Sequence, residues 1–380
     1  MPNYITERVS FLHYAIRQVF QAAGATELHA NYVADGITFA HLQGKQLQGL
    51  GVYEALDLPL VMGSLDLSTK PEMIAQGPAW AVVDGNRSSG YYCLNIMADI
   101  AMDIASTSGI AIVFGGNHND GGSFASYVYR AQQAGFFAMA SNNTVPLAAP
   151  WGGKENRLSC PPFDAMVPNG EQPPIWVSTM LAEFYDAHVA QAVHSNEKLT
   201  GDYAIDPDSG QVSDDLRPYA QQINAYTRVF DATCAGQLSS PRMFSLNLWN
   251  EALTAIVNPI GIPSTELPTV ADYAENESGE EKAALPPSVG GSYFLCIDPS
   301  ALMPDGLAKT KSRSDAYTQS ILNTPSKPDE SVRMPGQNGY SSLQRGDEEV
   351  KVICQHWDTF FEHIAPRYGL SEAILRQNYR

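Results

Sequence analysis

Apolar positions along the chain fall into alternating helical and strand-like periods. Val9, Leu12, Ala15, Ile16 and Val19 recur at helical spacing behind Thr6, which reads as an N-cap, and Gly24 ends the run. Thr26 to Phe39 and Gly49 to Val61 predict two more helices, flanking AHLQGKQLQGLG, whose glycines mark a turn at a pocket edge. Ala79 to Asp84 predicts a short strand stopped by the turn residues Asp84-Gly85-Asn86. Tyr91 to Ser106 carries Met97, Ile100, Ala101 and Ile104 along one helical face, and the β-branched run Ile110 to Phe114 predicts a buried strand.

Candidate chemistry follows that strand. Gly115-Gly116 leads into Asn117, His118, Asn119 and Asp120, and Phe124 to Ala134 again has helical spacing. A second apolar run, Phe136 to Ala140, runs into Ser141-Asn142-Asn143-Thr144 and then Pro150-Trp151-Gly152-Gly153. A histidine at a strand end among glycines is a place where a ligand can approach the backbone closely.

Beyond Gly153, short strands or loops are expected at Pro161 to Phe163, Ala165 to Val167 and Pro174 to Thr179, then a helix from Met180 to Val193. Gly201 to Leu216 reads as loop, Arg242 to Val257 as an apolar helix, and the acidic stretch Pro263 to Gly291 as an exposed loop or flexible link. Tyr293 to Ile297 predicts a strand. Pro304 to Gly346 is polar, with only Arg333-Met334-Pro335-Gly336-Gln337 standing out, and Lys351 to Ile364 predicts a closing helix.

Composition narrows the function classes. A chain of 380 residues accommodates two or three structural domains. A net charge of -18 repels phosphate backbones and anionic lipid, which argues against nucleic-acid and membrane partners but leaves room for a small anionic substrate in a locally basic pocket. The basic cluster KTKSRS, Lys309 to Ser314, reads as a solvated loop. Five cysteines lie far apart without metal-ligand spacing, so neither a disulfide frame nor a metal site is indicated. The first twenty residues read as an amphipathic helix rather than a signal peptide, and no apolar run is long enough to span a bilayer; a cytoplasmic protein is expected.

The order of these elements resembles the type-2 malate/L-lactate dehydrogenase family, which includes sulfolactate, ureidoglycolate and diketogulonate dehydrogenases and cyclic-imine carboxylate reductases. The residues carrying the resemblance are Val83-Asp84-Gly85, the helix to Gly109, Asn117-His118, Pro150-Trp151-Gly152-Gly153, Ala204-Ile205-Asp206, Phe294 to Ser300 and Arg333 to Gly336. The resemblance implies an α/β fold of non-Rossmann type, a mostly antiparallel central sheet with surrounding helices, in agreement with the absence of GxGxxG after a strand. It implies residues 1-80 plus 305-380 as a helical domain built from both ends, 81-180 plus 289-304 as a sheet and cofactor domain, and 181-288 as an additional, mainly helical domain. A homodimer and NADH or NADPH are implied as well. By the same resemblance His118 is the proton donor and acceptor for a small 2-oxo or 2-hydroxy acid or a cyclic imine, with Gln48 and Asp120 beside it. The implied cofactor contacts are Ser141, Asn143, Pro150, Trp151, Gly152, Ser178, Thr179, Met180, Arg242, Pro335 and Gly336.

The chain departs from the family pattern. The family's Ser-His-Gly and the arginine three residues later stand here as Leu47, Gln48, Gly49 and Val52, and valine cannot grip a carboxylate as arginine does. A family glycine is replaced by Asp120, Gly-Thr-Asn-Pro by Ser159-Cys160-Pro161-Pro162, Asp-Met-Ala-Thr-Ser by Ser178-Thr179-Met180-Leu181-Ala182, and Lys-Gly by Arg242-Met243. Two readings follow: a divergent NAD(P)-dependent oxidoreductase, or a family scaffold that has lost nicotinamide chemistry and catalyses a non-redox step or none.

Overall fold

The computed structural model describes residues 3–52, 64–183, 198–199, 201–206, 208–215, 218, 220–222, 228–230, 235–268 and 286–379. Most of the helix expected at Gly49 to Val61, all but the start of that at Met180 to Val193, and the middle of the acidic stretch lie outside these residues.

The chain opens with strand β1 (Tyr4–Arg8), not helix, and α1 (Val9–Ala22) follows directly. The reason is non-local: β1 pairs antiparallel with β14 (Glu349–Ile353), Ile5 opposite Val352 and Thr6 opposite Lys351, so a distant partner captures residues that local pattern assigns to a helix. Thr26 rather than Thr6 is an N-cap, its Oγ1 accepting from His29 N ahead of α2 (Glu27–Leu42). Phe11, Leu12, Ile16, Val19, Val33 and Ile37 from these helices pack with Val352, Trp357, Phe360, Ile364 and Leu375, so one apolar core is shared by both ends of the chain.

The central sheet holds β2 (Glu72–Gly77), β3 (Trp80–Asp84), β4 (Ile110–Gly116), β5 (Phe137–Thr144), β6 (Pro162–Met166), β7 (Trp176–Met180) and β13 (Val289–Ile297) in the order β2-β3-β4-β13-β5-β6-β7. Every pairing is antiparallel except β3 with β4, so the fold is the mostly antiparallel α/β type that the resemblance implies. Helix α3 (Gly90–Ser108), capped by Ser89 and ended by the left-handed Gly109, joins β3 to β4. With α4 (Ala125–Gln133) it covers one sheet face, burying Val113, Phe294, Ala138, Ala140 and Met166. Five short strands between residues 204 and 236, β8 (Ala204–Ile205), β9 (Val212–Ser213), β10 (Ala220–Gln222), β11 (Arg228–Phe230) and β12 (Ala235–Gly236), form two small sheets, and α5 (Pro241–Glu251) continues as a wider turn over Ala252–Val257.

Two further stretches near the end of the described residues differ from the sequence expectation. After α6 (Pro299–Leu302) the polar segment forms α7 (Gly306–Leu322) and α8 (Gln337–Arg345), so Lys309 to Ser314 sits on a helix. In α7 only Ser314 and Thr318 are buried, which leaves no apolar stripe to betray the helix. Lys351 to Ile353 belongs to β14, and helix begins only at α9 (Cys354–Asp358); α10 (Glu372–Asn378) ends the described chain.

One transverse row of the sheet positions the site. Val113, Phe294, Ala140, Asp164 and Ser178 face one another in register across β4, β13, β5, β6 and β7. Directly opposed residues point to the same face. The row is apolar over three strands and turns polar on the last two, where α2 ends above it.

Candidate active site

The chain leaves α2 through Gly44, whose φ of +76° suits glycine, and reaches Lys45 and a single 3₁₀ turn, Gln46–Gln48. Between this turn, β6, β7 and the β1–β14 pair lies a cavity of about 440 Å³ lined by Lys45, Gln48, Asp164, Ser178, Thr179 and Met180 among others. That volume suits a small molecule. Lys45 Nζ donates to Ser178 Oγ at 2.6 Å. Asp164 stands opposite Ser178 in the ladder, 3% exposed, and its Oδ1 makes no hydrogen bond; neither does the buried Oε1 of Gln48. Burial pulls the Lys45 ammonium below its ordinary pKa, against the nearby charge of Asp164. Burial likewise raises the Asp164 carboxyl, against the pull of Lys45, Ser178 and Trp176. Lys45, Gln48, Asp164 and Ser178 thus line one cavity, with Asp164 Oδ1 and Gln48 Oε1 enclosed in its wall.

His41 holds the rim. Its Nδ1–H donates to Lys351 O at 3.2 Å and its Nε2 accepts from Leu50 N at 2.8 Å, tying the 46–52 turn to α2 and β14. Gly49 packs so closely on this imidazole that a Cβ there would overlap the ring.

His118 sits two residues past β4 with no accessible surface. A carbonyl can only accept, so Nδ1 carries the hydrogen, donated to Asn119 O at 2.8 Å, and Nε2 accepts from Ser292 Oγ at 2.9 Å. Burial lowers its pKa to about 4, so the ring is neutral at pH 7. His29, in α2, is bonded alike, Nδ1 to Leu67 O and Nε2 to Ser89 Oγ, and burial brings it and His41 to about 4 as well. Gly85 backs His118 so closely that a Cβ would lie 2.6 Å from the histidine Cβ. Asp120 folds its own turn, Oδ1 accepting from Gly122 N at 2.6 Å.

The residues expected to act together therefore separate. Gln48, Ser178, Thr179 and Met180 share the cavity, whereas His118 does not line it. Its partner Ser292 is on β13, three strand spacings from β7, about 14 Å at ~4.8 Å each. Among the residues expected to hold a cofactor, Ser141 Oγ bonds to Pro162 O, and Asn143 Nδ2 donates to Ile262 O at 2.9 Å. Trp151 and Gly152 form an exposed turn after Pro150, closed by Gly153 N to Pro150 O at 2.8 Å. Arg242 is exposed in the first turn of α5, and Pro335 and Gly336 are exposed ahead of α8, Gly336 lying on the Trp176 indole.

Lys45, Asp164 and His41 carry no signal in a motif search. The available one is weaker: Asp164 is a lone acid inside the apolar stretch Pro161 to Val167, at alternate spacing with Met166. No group of three or more His, Cys, Asp or Glu side chains among the described residues is placed to hold a metal ion, and none of the described helices is long and apolar enough to cross a membrane.

A family model described as malate/L-lactate dehydrogenase matches residues 8–359, and the chain belongs to that family. L-sulfolactate dehydrogenase of Methanocaldococcus jannaschii is 23% identical over 89% of this chain and 93% of its own length. Malate dehydrogenase of Pyrococcus horikoshii is 29% identical, over 45% of this chain; the match spans about half of that relative, 48%. Among solved structures, the M. jannaschii sulfolactate dehydrogenase superposes with a TM-score of 0.80 at 20% identity, covering 98% of this chain and 99% of the other. The delta1-piperideine-2-carboxylate reductase of Pseudomonas syringae superposes with 0.73 at 19%, covering 90% and 94%. At these identities the structural likeness concerns the fold.

Proposed function

We propose that the protein is an NAD(P)-dependent oxidoreductase acting on a small 2-oxo or 2-hydroxy acid or a cyclic imine. The observation that carries this reading is a family match along nearly the whole chain, joined to a small-molecule cavity whose side chains combine a cation with hydrogen-bond acceptors.

The residues present suit a nicotinamide dinucleotide in kind. Trp151 offers an exposed aromatic face and Arg242 an exposed cation for a phosphate. When bound, the nicotinamide supplies or takes the electron pair of the redox step. This chain's own contribution is to orient the substrate and handle protons, for which Lys45 and Asp164 are the titratable groups seated deepest in the cavity wall. His118 would contribute directly only if Ser292 released its Nε2.

A homodimer accompanies this reading. Leu246, Trp249, Ile256 and Val257 expose a large apolar surface on and after α5, with Trp249 63% exposed, and a second copy is the occupant the family resemblance implies. Titration with NADH and NADPH, followed by fluorescence, tests the central proposal. Saturable binding in the micromolar range is expected; no binding at millimolar concentration would overturn it.

A further inference from the structure

We propose that Lys45 is the nucleophile of a second, covalent activity: its amine condenses with the carbonyl of a small uncharged aldehyde to form an imine, while Ser178 and Asp164 move the protons. The activity goes beyond the oxidoreductase reading and does not rest on it, because no nicotinamide takes part.

Lys45 lines a cavity sized for a small molecule, and the far end of its long side chain is held there by the 2.6 Å bond from Nζ to Ser178 Oγ. Ser178 is itself half-buried in the cavity wall, and Asp164 stands directly opposite it in the strand ladder. The bonds from Leu181 N to Pro161 O and from Val167 N to Ile175 O mark hydrogen-bonded pairs three steps to either side. Antiparallel pairs alternate, so Asp164 and Ser178 form a non-hydrogen-bonded pair, the kind whose side chains come closest. Lys45, Ser178 and Asp164 are thus neighbours in that order.

That order makes a proton relay. Lys45 donates to Ser178 Oγ, and the Ser178 hydroxyl in turn acts on the Asp164 carboxyl. Burial disfavours the charged form of both end groups, lowering the ammonium and raising the carboxyl, so passing a proton from one to the other removes two buried charges at once. A lysine desolvated in this way presents a free amine, the form that attacks a carbonyl. Asp164 is almost fully enclosed and acts through Ser178, as a positioning residue.

The step balances without an oxidant or reductant. The amine lone pair forms the C–N bond and the carbonyl π pair moves to oxygen, which takes a proton. The C–O bond then breaks as the nitrogen lone pair closes C=N, and the oxygen leaves as water carrying both amine hydrogens. The relay takes the proton of the resting ammonium and returns one to the departing oxygen. Lys45 is the one basic side chain among the described residues lining the cavity. Once it is the nucleophile no cation there is left for a carboxylate, so the cavity favours an uncharged aldehyde.

Reductive trapping tests this on the full-length protein. Propanal and cyanoborohydride at pH 7 convert the imine to a propyl-lysine, located by peptide mass spectrometry. Lys45 is expected to react on the order of 100-fold faster than the exposed Lys70 and Lys311 of the same molecule, the worth of positioned proton transfer. Ser178→Ala should bring Lys45 down to the rate of those two, and Lys45→Met should remove the fast phase from the intact mass. Glyoxylate, an aldehyde that carries a carboxylate, should show a smaller preference for Lys45. Labelling of Lys45 at the rate of Lys70 and Lys311 overturns the proposal, as does fast labelling that survives Ser178→Ala. An equal or larger preference with glyoxylate overturns the choice of an uncharged substrate.

Discussion

Ser292 Oγ lies 2.9 Å from His118 Nε2, joining the turn after β4 to β13, and neither residue has accessible surface. A buried pair of this kind fastens the turn against the sheet. Ser292→Ala leaves Nε2 without a donor and should destabilise the fold by about 1–3 kcal/mol, read as a lower urea midpoint. His118→Ala should cost at least as much, because it also opens a cavity. Both variants should keep the ligand affinity of the Lys45 cavity. A folded His118→Asn whose turnover collapses by ~10²–10⁴-fold would instead identify the imidazole as the proton carrier.

Acid should destabilise the protein earlier than its carboxylates alone would. His29, His41 and His118 each fall from 6.5 to about 4 on folding. Above pH 6.5 all three are neutral in both states and carry no penalty. Below it the unfolded chain binds protons that the folded chain refuses, so stability drops by about 1.4 kcal/mol per pH unit for each imidazole until about pH 4. Asp164 and Glu251, whose pKa values are raised by burial, act in the opposite sense, costing stability as pH rises past the ordinary carboxylate range. Chemical denaturation at pH 7, 6, 5 and 4.5 should show a progressive loss, and His29→Gln should flatten the slope.

Gly49→Ala should loosen the cavity rim. Its Cβ would overlap His41, whose ring cannot swing away without losing both Lys351 O and Leu50 N. Overpacking of this sort costs about 1–3 kcal/mol. A thermal melt measures it, and an unchanged Tm would mean that the 49–52 turn moves freely.

Light scattering at micromolar concentration should return the mass of two chains. Trp249→Glu combined with Ile256→Glu should shift it toward one, since charges placed on a covered apolar surface are costly to bury. A single-chain mass for the unmodified protein would remove the dimer.

Much of the sheet was legible because its inner strands begin as apolar runs bounded by glycine or polar turns: Ile110–Gly116 and Phe137–Thr144 each start with four or more apolar residues before turning polar or to glycine. What was not legible depended on partners far away in the chain. Tyr4–Arg8 becomes a strand only because Glu349–Ile353 lies beside it, and the same pairing takes Lys351 out of the expected closing helix. The candidate site divides along the same line. Glycine and histidine motifs pointed to His118, whereas Lys45 and Asp164 acquire chemistry only when α2 ends over β6 and β7. No spacing within either segment records that meeting.

The pairing of β1 with β14 also sets a timetable for synthesis. Ile5 and Val352 are neighbours in the finished protein. At roughly 5–20 residues per second, about 20 to 70 seconds separate their emergence from the ribosome. During that interval Phe11, Leu12 and Ile16 can pack against α2 but lack Trp357, Phe360 and Ile364, which complete their core. A segment made early is thus among the last to be finished, and its apolar face must be kept from other chains until its distant partners arrive.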